Sequence, residues 1–133
     1  MSIAHNPAGT TIVFIGTSES SGDTITNTST DVGVEKDVLG DDTSTGVLKL
    51  YAVFTSTVTA GTLDFSIVTD RISGQSYVDN PERVISIVPA NATKKCYLCT
   101  IVASRYMLVT VKNNATGASA TNVFVGGDLY KIS

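Results

Sequence analysis

The sequence predicts an all-β fold, an antiparallel β-sandwich that is jelly-roll-like and has about eight strands. Residues 106–112 alternate large and β-branched side chains between two faces, and the polar residues 113–117 separate them from a second β-branched run at 121–125. This pattern is typical of a β-hairpin. Similar runs recur about every ten residues, as in sandwiches and barrels. We find no eleven-residue window with the apolar spacing of an amphipathic helix.

The remaining elements follow from the same alternation. Residues 47–56 place Leu50 and Phe54 on one face, and residues 62–69 do the same with Phe65 and Ile67. The predicted strands cover residues 11–16, 31–39, 47–56, 62–69, 83–88, 95–103, 106–112 and 121–131. The predicted core consists of Phe14, Leu50, Phe54, Phe65, Ile67, Ile87, Met107 and Val109.

Between these strands, the polar residues 17–30 are numerous enough to predict a functional loop rather than a simple turn. The paired glycines Gly126 and Gly127 inside the last strand predict a bulge or a close backbone approach. A length of 133 residues fits one domain. We expect residues 1–10, which contain Pro7 and Gly9, to form a non-globular N-terminal arm, and residues 11–133 to form the β-sandwich domain.

The composition limits the classes of function. The net charge is −3, which argues against nucleic-acid binding because that requires a cationic surface. The charge is also unevenly spread: residues 1–66 carry a net −6 and residues 67–133 a net +3. Neighbouring copies with complementary surfaces could use this difference. Residues 1–10 have no signal-peptide pattern and the apolar runs are short, so we expect synthesis in a cytoplasm and no membrane insertion.

The chemistry-bearing residues do not assemble into a recognised site. Cys96 and Cys99 lack the further ligands of a structural zinc site, and regular strand alternation would point them to opposite faces, so we expect free cysteines. Asp41 and Asp42 in a glycine-bounded turn leave calcium binding open. No nucleophile stands beside a base. The sequence therefore predicts no catalytic residue, no cofactor and no metal site, and a protein that is not an enzyme.

Aromatic residues offer a second kind of surface. The sequence has no Trp, and its candidate surface aromatics are Tyr51, Tyr77 and Tyr106. Tyr51 and Tyr106 fall on strand faces opposite the predicted core residues. An amphipathic ring there is suited to a subunit contact or a sheet edge. It is also suited to stacking against a sugar, so a carbohydrate-binding β-sandwich module is the alternative of a different class.

A resemblance extends over residues 47–131. Arg105 and Tyr106 begin an Arg-Tyr-x-x-Val strand, an Asn-rich turn ends at Gly117, and a final strand contains Phe124. Residues 63–70 and 77–79 supply a strand-and-loop unit. These segments resemble small β-sandwich structural proteins of tailed-bacteriophage virions. The match is looser at the turn, where five residues, 113–117, stand in place of the usual tight Asn-Gly.

The resemblance implies a non-enzymatic virion structural protein, most specifically a capsid decoration (cement) protein that binds and stabilises the coat lattice. Its partner would be the major capsid protein of a phage head, its oligomeric state a homotrimer, and its location the virion. A tail-fibre, baseplate or head-fibre module is the alternative within virions. The residues we expect to contact the capsid lie in the arm and in the loop at 17–30, namely His5, Asn6, Pro7, Thr24 and Thr26.

Overall fold

The computed structural model describes residues 3–5, 11–56, 61–70, 81–88, 92–114 and 117–132, none of which is helical. The described residues form eleven strands in two antiparallel sheets. In chain order these are β1 (Ile3–His5), β2 (Ile12–Ile15), β3 (Asp23–Ile25), β4 (Thr30–Val32), β5 (Lys36–Asp37), β6 (Thr45–Ser56), β7 (Thr62–Asp70), β8 (Arg83–Ile87), β9 (Ala92–Val102), β10 (Tyr106–Asn114) and β11 (Ala120–Ile132). A helix that could span a membrane is not found in this part of the chain.

The two sheets have the strand order of a jelly roll. In the first sheet, β1, β2 and β3 follow one another along one edge of β11, and β6 and then β9 lie on its other side. In the second sheet, β4 and β5 lie along one edge of β10, followed by β7 and β8. If each row of short strands is counted once, the chain has eight strands in the orders 1-8-3-6 and 2-7-4-5. The predicted antiparallel, jelly-roll-like sandwich is therefore confirmed.

The core lies between the inner faces of the two sheets. Of the predicted core residues, Phe14, Leu50, Phe54, Phe65, Ile67, Met107 and Val109 are buried. Ile87 differs, since it is only partly buried and packs against the margin of the core. The reason is its position on β8, an edge strand that has a neighbour on one side only. The rings of Phe54 and Phe65 meet across the two sheets with their centroids 6.4 Å apart.

Asn113 is the one fully buried polar side chain among the described residues. Its side-chain amide donates to the carbonyl of Ile25 at 3.0 Å and to that of Ala118 at 2.8 Å. These bonds satisfy a buried polar group and tie β3, β10 and the segment before β11 together. The predicted hairpin of residues 106–112 and 121–125 is wrong, because β10 pairs with β7 in the second sheet whereas β11 pairs with β6 in the first. Asn113, which the sequence pattern assigned to the hairpin turn, lies in β10.

The paired glycines of β11 do mark both a bulge and a close approach. The register between β11 and β2 shifts between Val125 and Gly126. A Cβ atom at Gly127 would lie 2.9 Å from a methyl carbon of Leu48, and one at Gly126 would lie 2.9 Å from the ring of Phe124. Both distances are shorter than real Cβ contacts, so a larger residue at either position would have to displace the Phe124 or Leu48 side chain.

The structure changes the description of two polar segments. Within the predicted arm, Ile3–His5 form a strand that pairs with residues 130–132, and residues 1, 2 and 6–10 lie outside the described residues. Residues 17–30 contain β3 and are held to β11 by Asn122, which accepts from the backbone of Gly22 at 2.8 Å and donates to the carbonyl of Glu19 at 2.9 Å. Strands of three residues, such as β1 and β3, are too short to show an alternation of apolar and polar side chains in the sequence.

The expectation that Cys96 and Cys99 point to opposite faces is wrong. The register between β6 and β9 shifts, because Leu50 pairs with Cys99 whereas Tyr51 pairs with Tyr97. One extra residue in β9 therefore turns both cysteines towards the core. Neither cysteine forms a disulfide, and burial raises the pKa of the Cys99 thiol, which disfavours the reactive thiolate.

We predict that Phe65→Ala lowers the free energy of unfolding by about 3–5 kcal/mol, because the change leaves a cavity opposite Phe54 in a close-packed core. Urea unfolding of the purified protein measures this difference. Val102→Ala is the matched control, since Val102 is 72% exposed and its loss opens no cavity. Equal losses of stability in the two variants would contradict the assignment of Phe65 to the core.

Candidate functional site

The predicted capsid-contact residues fall in different parts of the described structure. His5 lies in β1, with its backbone opposite Tyr130, whereas Asn6 and Pro7 lie outside the described residues. Thr24 and Thr26 are exposed and line a shallow pocket of about 350 Å³ between β3 and β4. The structure therefore places the two threonines together and does not bring His5 to them.

The same pocket contains two neighbouring carboxyl groups, those of Asp23 and Asp31. Burial, together with the adjacent Asp23 carboxylate, raises the pKa of Asp31 to about 6. When both groups are ionised, the buried Oδ2 of Asp31 has no hydrogen-bond partner among the described residues. Protonation supplies the hydrogen that lets Asp31 donate to Asp23. The pocket therefore favours the protonated form of Asp31.

The three predicted surface tyrosines do not form one site. Tyr51 lies on β6 in the first sheet, and Tyr106 lies on β10 in the second sheet, so the two rings belong to opposite sides of the sandwich. Tyr77 lies outside the described residues. Tyr106 is half-buried, and the guanidinium of Arg105 lies 5.1 Å from the centre of its ring.

A different tyrosine, Tyr97, lies directly beside Tyr51. The two are register partners on the outer face of the first sheet, and Tyr97 is 56% exposed. Around them is a groove of about 440 Å³, which we call the tyrosine groove; it is lined by Thr11, Lys49, Tyr51, Lys95, Cys96, Tyr97 and Asp128. Sequence reasoning missed Tyr97 because strict alternation through β9 ignores the bulge. The adjacent apolar residues Leu98 and Cys99 were the available signal for it.

Both rings of the tyrosine groove have a lysine above them. The ammonium of Lys95 lies 4.7 Å from the centre of the Tyr51 ring, and that of Lys49 lies 5.7 Å from the centre of the Tyr97 ring. Lys95 also forms an ion pair with Glu19, whose hydrogen bond raises the pKa of the lysine. Asp128 pairs in register with Lys49. The groove thus combines an aromatic floor with two balanced pairs of opposite charges.

The carboxylate oxygens of Asp41 and Asp42 accept hydrogen bonds from other groups of the protein. Asp41 accepts from the backbone and hydroxyl groups of Ser44 and Thr43, and these bonds, led by the one from the Ser44 backbone, lower the pKa of Asp41 to about 2. Asp42 pairs with Arg105 at 2.9 Å. In the described part of the chain, no three His, Cys, Asp or Glu side chains are grouped to hold a metal ion.

Acidic residues of the first half of the sequence form ion pairs with basic residues of the second half within one molecule. Arg105 bonds to Asp37 and to Asp42, which raises the pKa of the guanidinium and lowers that of the Asp37 carboxyl. Lys131 lies 3.9 Å from Asp41. These ion pairs, like that of Glu19 with Lys95, each join an acid of residues 1–66 to a base of residues 67–133.

The exposed apolar side chains lie at the edges of the sheets. Six large hydrophobic residues of the described chain are exposed, and all lie on or beside the edge strands β4, β8 and β9. They are Val32, Val34, Val84, Val88, Tyr97 and Val102.

No family, no curated protein and no solved structure matches this chain in comparisons with known proteins.

We predict that folding stability falls as the pH rises from about 4 through 6. The pKa of Asp31 is raised in the folded state, so folding is favoured when Asp31 is protonated and this contribution is lost once it ionises. Asp31→Asn keeps the donor to Asp23 without the charge. It should raise stability at pH 7 by about 1 kcal/mol, a value reduced for exposure to solvent.

Chemical unfolding at a series of pH values, for the wild type and for Asp31→Asn, measures this effect. Asp23→Asn provides a second variant, because it removes the neighbouring negative charge and should flatten the same part of the profile. A slope between pH 4 and 6 that is unchanged in both variants would contradict a raised pKa at Asp31.

Proposed function

We propose that this chain is a non-enzymatic structural protein of a virus particle, most specifically a capsid decoration protein that binds the coat lattice of a phage head and stabilises it. The observation that carries the proposal is the position of the exposed hydrophobic side chains, all of which lie at open sheet edges. Proteins that remain alone in solution protect such edges with charges, prolines or covering loops. Apolar edges favour a protein that packs side by side with others.

A row of uncharged residues crosses the outer face of the second sheet and supports the same conclusion. Val32, Thr110, Ser66 and Val84 are successive register partners on β4, β10, β7 and β8. The two valines at the ends of this row are each about half exposed. Thr110 within the row is already buried, so a protein surface laid across the row would remove apolar area from water at the two valines and would desolvate no charge.

The fold and the resemblance add the viral context. Jelly rolls are used in viral capsid proteins and in lectins. Residues 47–131 resemble β-sandwich proteins of phage particles, from which we take the major capsid protein as the proposed partner and the virion as the proposed location. Many weakly bound copies on a symmetric lattice reinforce one another when each copy contacts more than one coat subunit.

Copy number separates a head decoration protein from a tail-fibre, baseplate or head-fibre module. Quantitative mass spectrometry of purified particles gives the number of copies relative to the major capsid protein. A decoration protein covers the lattice, so we expect a ratio of the same order as one copy per coat subunit. A ratio lower by a factor of ten or more would assign the chain to the tail or to a fibre.

We predict that Val84→Lys weakens attachment to heads that lack the protein, because the new charge must be desolvated within an apolar contact. Sedimentation of heads mixed with purified protein measures the bound fraction. Thr121→Lys adds the same charge at an exposed position of β11, in the first sheet, and is the matched control. Wild-type attachment of both Val84→Lys and Val32→Lys would contradict a lattice contact through this face.

We further propose a homotrimer held by sheet edges, and predict that it persists as the ionic strength rises. The ion pairs of the described residues are internal, which leaves apolar edges for contacts between copies, and burial of apolar area is weakly affected by screening. Light scattering at low and high salt measures the oligomeric state. Val102→Lys should shift the protein towards monomer, and a wild-type monomer at both salt concentrations would refute the free trimer.

A further inference from the structure

We infer that the tyrosine groove binds a neutral saccharide, with one sugar ring stacked on Tyr97. This inference goes beyond the proposed function, because the groove lies on the outer face of the first sheet whereas the uncharged row lies on the second. A volume of about 440 Å³ lies within the usual range of small-ligand sites. The open groove could hold a short saccharide or the end of a longer chain.

The two tyrosines provide the apolar surface that the carbon–hydrogen face of a sugar requires. Tyr51 forms the floor, with its ring 6.0 Å from that of Phe124. Lys95 lies over Tyr51 at 4.7 Å from the ring centre, whereas Lys49 lies farther from Tyr97, at 5.7 Å. Tyr97 is also more than half exposed, so it is the ring available for stacking once Lys49 turns aside. An aromatic side chain has few rotatable bonds and therefore loses little entropy on binding.

The orientation of Tyr97 is fixed before any ligand binds. Its hydroxyl is hydrogen-bonded to that of Thr100, with the two oxygens 2.9 Å apart. In a regular strand these residues would face opposite sides, but the bulge in β9 brings both to the outer face, where Thr100 pairs with Lys49. A ring held in place by its own strand binds at a lower entropic cost.

The rim of the groove matches the hydroxyl groups of a sugar. Lys49 and Lys95 supply donors, Asp128 supplies an acceptor, and the hydroxyl of Thr11 is able to do both. With Glu19 beside Lys95, two ammonium groups are balanced by two carboxylates. This balance favours an uncharged ligand over a phosphate or an acidic sugar, and the number of polar groups disfavours a purely apolar ligand.

The experiment is an NMR titration of the purified full chain. The neutral probes are the methyl glycosides of glucose, galactose, mannose and N-acetylglucosamine, and the acidic probes are methyl glucuronide and N-acetylneuraminic acid. We expect at least one neutral probe to shift the Tyr97 ring resonances. Tyr97→Ala should weaken that binding by about tenfold or more, as expected for a central aromatic anchor.

Two further variants separate stacking from general damage to the fold. Tyr106→Ala makes the same truncation on the other sheet and should leave the affinity unchanged. Tyr97→Phe keeps the ring but loses the bond to Thr100, so it should bind more weakly than the wild type and more tightly than Tyr97→Ala.

Three results would overturn the inference. The first is that no probe shifts the resonances at about 10 mM, a concentration at which a millimolar site would be mostly occupied. The second is that only the acidic probes cause shifts. The third is that Tyr97→Ala and Tyr106→Ala lose the same amount of binding affinity. Attachment to heads reports separately on the proposed function, since Tyr97→Ala should attach normally if the lattice contact uses the second sheet.

Discussion

The pairing of β11 on both of its edges is the constraint on which the rest of the structure depends. On one side it pairs with β6 over most of its length, and on the other it pairs in turn with β1, β2 and β3. These short strands have too few residues to be stable alone. Gly126 and Gly127, which have no side chains, leave room within this paired region for the side chains of Phe124 and Leu48. The last strand thus organises the first part of the chain.

A single extra residue in β9 has consequences on both faces of the first sheet. On the inner face it turns Cys96 and Cys99 together towards the core, where burial keeps the Cys99 thiol protonated. On the outer face it brings Tyr97 and Thr100 within hydrogen-bonding distance. A bulge re-aims side chains without interrupting the sheet, and here it links the packing of the core to the geometry of the groove.

The sequence predicted the long strands well because alternation is clear over nine or more residues, as in β6 and β7. It did not predict β1 or β3, which have three residues each and whose pairing depends on β11. It also merged β4 and β5 into one strand over residues 31–39. It placed Tyr51 and Tyr106 on outer strand faces but not on opposite sides of the sandwich, since alternation identifies the outer face of a strand but not the sheet to which it belongs. Tyr97 was missed because a bulge changes that alternation.

The jelly-roll order also determines which surface features are available for binding a partner. Because this order sets strands of the first half of the chain beside strands of the second half, acids such as Asp37 and Asp42 meet Arg105 within one molecule. Part of the charge difference between the two halves of the sequence is therefore used within one molecule. The features that remain for recognition are the apolar edges and the tyrosine groove, where binding depends on buried area, ring stacking and hydrogen-bond geometry more than on net charge.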